Sequence, residues 1–162
     1  LFTYIRPYLE LIAQVDARTI SLLLLAIGIS GLAGTTAIGL VIKKQLYKTL
    51  IIIPLLMALI ALLLIPLATN LVAVWILLAL WGVLSTAAPV GWWSWVAHAS
   101  KADTESGGGL MVATVQFSIA LGATVGGILF DHLGYESTFC LSAGMLIVAA
   151  LMTIQTARRS AD

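Results

Sequence analysis

From residue 49 to residue 100 the chain carries no Asp, Glu, Lys or Arg. One membrane crossing takes about 20 apolar residues, so this run accommodates two helices and a short hairpin. A helix of a soluble domain buries one stripe and keeps a charged face; here each helix would be uncharged all round, which suits lipid and not water. A charge at mid-bilayer costs on the order of 2.5–3.5 kcal/mol on insertion scales, so spans must be nearly charge-free. The composition agrees, with 61% hydrophobic and 9% charged residues, against roughly 25% charged in an ordinary soluble domain. The expected fold class is an all-α membrane protein.

Several function classes drop out on the same grounds. The net charge is +1 and no basic stripe exists, so nucleic acid is not an expected partner. Cys140 stands alone, which rules out a disulfide framework. There is no HExxH, Walker loop, Cys/His cluster or G-x-S-x-G elbow, so no catalytic residue, metal site or cofactor is expected and the chain does not read as an enzyme. Asp131 beside His132 reads as a cap and turn at a helix end facing water.

Residues 1–9 (LFTYIRPYL) are apolar with one Arg. As a helix they rise only about 13 Å, less than half the hydrocarbon thickness. With no initiator Met and no signal-peptide pattern, the chain is expected to open partway through a helix, as a fragment. A polar connection (residues 10–18) leads to a second span at 19–42. Leu22, Leu25, Ile29, Leu32 and Leu40 form its bulky stripe. Ala26, Ser30, Ala33, Gly34 and Ala37 form one small face, and Gly28, Gly31, Thr35 and Gly39 another. Small faces let backbones approach closely in lipid, so protein is expected on both.

A compact loop (KKQLYK, residues 43–48) precedes the third span at 49–68, which has no glycine and reads as peripheral and lipid-facing. Residues 66–70 close a hairpin to the fourth span at 71–96, which holds all five tryptophans. Trp75, Trp93 and Trp95 lie near its ends and read as an interfacial belt. Trp81, Ser85, Ala88 and Trp92 share a face that either lines a cavity or faces lipid. A polar loop at 98–106 leads to the fifth span at 107–130. There Ser118, Gly122 and Gly126 form a GxxxG-type face, and Ala113, Gln116, Ala120, Ala123 and Gly127 a second small face. Gln116 sits near mid-depth, where its amide needs either a wet cavity or a neighbouring helix. An acidic turn at 131–136 precedes the last span at 137–157.

Lys43, Lys44, Lys48, Lys101, Arg158 and Arg159 fall on one side, leaving Arg18 and Arg6 on the other. The positive-inside rule places the first group and the C-terminus in the cytoplasm. With the truncated first helix this gives six crossings, the first running outward.

Six helices, an inside C-terminus and alternating glycine-rich and glycine-poor spans resemble the C-terminal half of a major facilitator superfamily transporter, across residues 1–162. The strings FTYIRPYL, GISGLAGTTAIG, PVGWWSW and the run from Val115 through GGILFD resemble the bacterial drug:proton antiporter group, and within it most the purine-nucleoside efflux branch. One departure stands at the family's loop signature, where Lys43 occupies the position of the acid. The resemblance implies a bacterial inner-membrane antiporter that exports a small polar or aromatic solute by alternating access. It further implies an N-terminal six-helix half as partner within the same chain. The spans contain no embedded acid, so a proton-carrying carboxylate would come from that half. Tyr4, Arg6, Ser85, Trp92 and Gln116 are the expected substrate-binding residues. Trp92 and Tyr4 would stack on a planar base, and Gln116 and Ser85 would satisfy its polar edge. Arg6 faces water or a carboxylate, or else snorkels to the interface. Two other readings stand beside this one: a drug or sugar efflux transporter of the same superfamily, and a half-size protein that dimerises as a channel or serves as a structural subunit.

Overall fold

The computed structural model of the protein describes residues 1–99 and 104–159. A 3₁₀ turn, Phe2–Tyr4, leads into α1 (Ile5–Leu11), followed by α2 (Ala17–Leu63), α3 (Leu71–Ala99), α4 (Thr104–Leu133) and α5 (Tyr135–Arg159). No strand occurs among the described residues. Five segments are long and apolar enough to cross a membrane: Ala17–Gly39 and Gln45–Leu63, the two arms of α2, then Leu71–Ala97, Glu105–Leu133 and Tyr135–Arg159. The fold is the all-α membrane architecture expected from the sequence, with a short first helix.

The connection between the second and third spans is tighter than the sequence suggests. The backbone leaves the helical region at Gln45 (φ −147°, ψ 53°), where two helical arms meet at a kink. Lys, Leu and Tyr are ordinary helix residues and no Gly or Pro interrupts them, so helix reaches the kink from both sides in place of a loop over residues 43–48. The chain reverses there: both ends of α2 lie beside α1. The Tyr8 hydroxyl donates to the Leu64 carbonyl at 2.7 Å. Val15 N–H donates to the Leu9 carbonyl at 3.1 Å, just before the first arm begins.

Other expected turns also shrink. The acidic turn at 131–136 reduces to Gly134, whose positive φ of 83° separates α4 from α5; the left-handed conformation is what glycine permits without strain. The polar loop at 98–106 is consumed from both sides by α3 and α4, and Lys101 lies outside the described residues. At the start of α2, Asp16 caps the helix. Its carboxylate accepts from the Thr19 hydroxyl at 2.6 Å and from Arg18 N–H at 3.2 Å. Those bonds, the Thr19 hydroxyl foremost, hold the Asp16 carboxyl below its ordinary range.

The core forms where α1, both arms of α2, α3 and α5 converge. Tyr8 is fully buried, with its ring 5.0 Å from Phe139 and 5.5 Å from Tyr135 between centroids. Leu23, Ile27, Ile53, Met57, Ala61, Leu64, Val74, Leu78 and Ala143 complete it. Glycine content does not track burial as expected. The glycine-free arm Gln45–Leu63 is the best buried span at 39%, while the glycine-rich α4 is 6% buried. Large aliphatic residues at helical spacing in that arm (Leu50, Ile53, Met57, Ala61, Leu64) fill the space against α3 and α5. Its other face, including Ile52, Leu55, Leu59 and Leu62, is exposed, so only half the arm is peripheral. In the first arm, Gly34 from one small face and Gly31 from the other both pack on α3, so each face meets protein there. The second face is only partly covered within this chain, since its Gly28 and Gly39 meet nothing within 4 Å.

Candidate functional site

The α3 and α4 helices touch little along their lengths, and between them lies a cavity of about 760 Å³. Ser85, Ala88, Pro89, Trp92, Trp93, Trp95 and Val96 form the α3 wall. Gly107, Leu110, Met111, Val112, Thr114, Val115 and Gln116 form the α4 wall. No charged side chain stands among these residues. The cavity occupies the half of each helix next to the α3–α4 connection, the same end as the α2 kink and Arg158.

Local sequence explains the shape. Pro89 lacks an N–H and clashes one turn back, which loosens α3 beside Gly91. The Trp92 and Trp95 rings then meet edge to face, with centroids 6.0 Å apart at 79°. Trp95 Nε1–H donates to the Tyr47 hydroxyl at 3.3 Å, which holds its ring against the second arm of α2. On α4 the run Gly107, Gly108 and Gly109 removes side chains at the mouth; a Cβ at Gly108 would stand 3.3 Å from the Trp93 ring. The polar groups are few. The Ser85 hydroxyl donates to the Gly82 carbonyl at 3.2 Å and the Thr114 hydroxyl to the Leu110 carbonyl at 2.8 Å. Among the described residues no hydrogen bond holds the Gln116 amide. The chemistry on offer is aromatic faces, neutral acceptors and one uncommitted amide.

Of the residues expected at a binding site, the fold brings Ser85, Trp92 and Gln116 onto this one cavity. Tyr4 and Arg6 stand elsewhere. The Tyr4 ring stacks on Phe130, with centroids 5.5 Å apart at 21°, and its hydroxyl donates to the Ala123 carbonyl. The exposed Arg6 guanidinium pairs with Glu10 at 2.8 Å, one helical turn along. Trp81 is 5% exposed and packs in the core instead of joining Ser85 and Trp92, and its Nε1 has no hydrogen-bond partner among the described residues. Trp93 and Trp95, read from the sequence as belt residues, also line the cavity. Their density in GWWSW, which begins two residues after Pro89, was the available signal.

The geometry can be set beside known proteins. The family model described as Major Facilitator Superfamily matches residues 1–161. The chain belongs to the major facilitator superfamily. It is a multi-pass membrane protein of that family, similar to its members over nearly its whole length. It is 53% identical over 161 residues to the transcription regulatory protein OpdE of Pseudomonas aeruginosa, covering 99% of this chain and 40% of that relative. It is 34% identical over 157 residues to the purine ribonucleoside efflux pump NepI of Salmonella paratyphi B, and 33% identical to NepI of Salmonella enteritidis. Each of these covers 97% of this chain and 40% of the relative. The chain thus spans about two fifths of the length of the curated relatives it matches. No solved structure matches it.

Proposed function

We propose that this chain is the C-terminal half of a secondary transporter of the bacterial inner membrane. It exports a small, uncharged, planar solute of purine-nucleoside type by proton antiport and alternating access, with its C-terminus in the cytoplasm. The observation that carries the substrate class is the α3–α4 cavity, which joins Trp92, Trp93 and Trp95 to Ser85, Thr114 and Gln116 without a charged group. A flat heteroaromatic ring stacks on indole faces, and its polar edge finds neutral hydrogen-bonding groups. Similarity to the NepI pumps supports the same substrate class. The open small faces, Gly28 and Gly39 on α2 and Gly122 on α4, suit close packing of an N-terminal half. The interiors of this chain's spans hold no acid, since Glu105, Asp131 and Glu136 stand at span ends, so the proton-carrying carboxylate belongs to that other half.

Binding of labelled purine nucleosides to the full-length protein in detergent tests this reading. Saturable binding that weakens in Trp92→Ala and Gln116→Leu is expected. Wild-type protein without saturable binding, or binding indifferent to both variants, would overturn it.

A second reading follows from the 53% identity to a relative named a transcription regulatory protein. The chain would then influence gene expression through the solute it moves. A variant that binds but does not transport separates the two: altered expression with abolished transport favours signalling, and normal expression favours transport alone.

A further inference from the structure

A second, smaller cavity adjoins the first at Trp92 and Trp95. It has a volume of about 220 Å³ and is lined by Tyr47, Leu50, Trp92, Trp95, Ala149, Met152, Thr153 and Thr156. Three elements meet there: the second arm of α2, α3 and α5. Its walls are indole, aliphatic and thioether surface, and the polar groups are largely turned to protein. Trp95 Nε1–H is given to Tyr47, and the Thr153 and Thr156 hydroxyls donate to the Ala149 carbonyl at 2.8 Å and the Met152 carbonyl at 3.0 Å. What remains open to an occupant is apolar.

The rim has the opposite character. Lys48 directly follows Tyr47, and Arg159 lies three residues beyond Thr156 on the same face of α5. Both are exposed, as is Arg158. No acid occurs between Asp16 and Asp103, nor between Glu136 and Asp162, so the second arm of α2, α3 and the body of α5 bring no carboxylate to neutralise them. An apolar crevice with cations at its membrane-surface end matches a molecule with a long apolar tail and an anionic head.

We infer that this crevice binds one acyl chain of an anionic phospholipid, whose phosphate is held by Lys48 and Arg159. The tail lies against Leu50, Trp95 and Met152, and the small Ala149 leaves room for it. The crevice shares Trp92 and Trp95 with the α3–α4 cavity, but its other walls come from α2 and α5 and its occupancy needs no transported solute.

The test uses the full-length protein in zwitterionic micelles, titrated with phosphatidylglycerol or phosphatidylcholine carrying brominated acyl chains, with tryptophan quenching as readout. Phosphatidylglycerol is expected to quench at a clearly lower concentration than phosphatidylcholine. Trp95→Phe should reduce the phosphatidylglycerol-specific part of the quench, leaving the share carried by Trp92. Each of Lys48→Gln and Arg159→Gln should raise the phosphatidylglycerol midpoint about fivefold, the worth of one basic group at a membrane surface, and leave phosphatidylcholine unchanged. Equal midpoints for the two lipids in the wild-type protein would overturn the site without any variant. An unchanged midpoint in the Lys48→Gln/Arg159→Gln double variant, whose exposed positions leave folding intact, would remove those two residues as its basis.

Discussion

The Thr86 hydroxyl donates to the Gly31 carbonyl across 2.7 Å, joining α3 to the first arm of α2. The bond is possible because the two helices nearly touch backbone to backbone. A Cβ at Gly31 would stand 2.8 Å from Thr86 Cγ2, one at Gly34 would run into the Val83 carbonyl, and one at Gly82 would meet the Ile27 carbonyl at 2.5 Å. In lipid, where apolar surface gains little by leaving the solvent, such close approach supplies the dispersion contacts that hold helices together.

Methyl groups at Gly34 or Gly82 should therefore force α2 and α3 apart. Gly34→Ala and Gly82→Ala are each expected to destabilise by about 1–3 kcal/mol, the usual range for overpacking. Thr86→Val should cost about 0.6 kcal/mol, an average for a hydrogen bond between membrane helices. Gly144→Ala on α5, which meets no neighbour, serves as the control. Thermal unfolding of the full-length protein in detergent reads all four; equal losses at every glycine would show that packing on α3 is not the cause.

The two ends of α4 are held very differently. Near Gly134, Tyr4 fills a notch in which a Cβ at Gly126 would lie 2.8 Å, and one at Gly127 2.9 Å, from Tyr4 atoms. The Thr138 hydroxyl donates to the Gly126 carbonyl at 3.0 Å. Nearer its N-terminal end, residues 112–122 are exposed throughout. Gly126→Ala should displace Tyr4 and destabilise the protein, and Tyr4→Ala should relieve that clash. A double-mutant cycle is expected to give a coupling of roughly 0.5–3 kcal/mol, as for residues in contact. Strict additivity would mean the notch carries no energy.

For the cavity, Trp92→Ala removes an aromatic face. Stacking on a nucleobase is worth about 1–3 kcal/mol, so nucleoside binding should weaken about 5- to 150-fold. Tyr4→Phe, which alters a residue away from the cavity wall, should leave binding unchanged. Equilibrium binding on the full-length protein distinguishes the two residues.

Asp16 gives a pH dependence with a definite sign. Its carboxyl is held low in the folded chain by the Thr19 hydroxyl and nearby backbone N–H groups. The associated stabilisation is present above the unfolded carboxylate value of about 3.9 and fades as pH falls through the lower folded value. Amide exchange in the first turn of α2 should therefore quicken as pH is lowered below about 4, once corrected for intrinsic rates. Asp16→Asn, which retains a capping oxygen without a charge, should flatten that acid limb. Asp16→Ala should fray the turn at every pH.

Much of this architecture is legible from residue types. The uncharged run between residues 49 and 100 dictates helices in lipid, because backbone polar groups are satisfied there only in helices or closed barrels, and the run lacks the polar–apolar alternation of barrel strands. The basic residues beside the turns, the glycine pattern and strings such as PVGWWSW carried the family resemblance. Ser85, Trp92 and Gln116 were each identifiable as polar or aromatic groups at depth.

Only the tertiary structure decided how those pieces meet. Residues 43–48 look like a loop on charge alone, yet two helical arms meet there at a kink confined to Gln45, since local charge does not oppose helical hydrogen bonds. Tyr4 looks like a ligand-stacking residue, but a notch at Gly126 and Gly127 takes its ring and the Ala123 carbonyl accepts its hydrogen bond; such a partner, more than 100 residues away, is invisible to periodicity. Composition and charge set which solvent the chain belongs in, because transfer energies add residue by residue. The identity of neighbours depends on shape complementarity between distant segments, and that is fixed only when the helices pack.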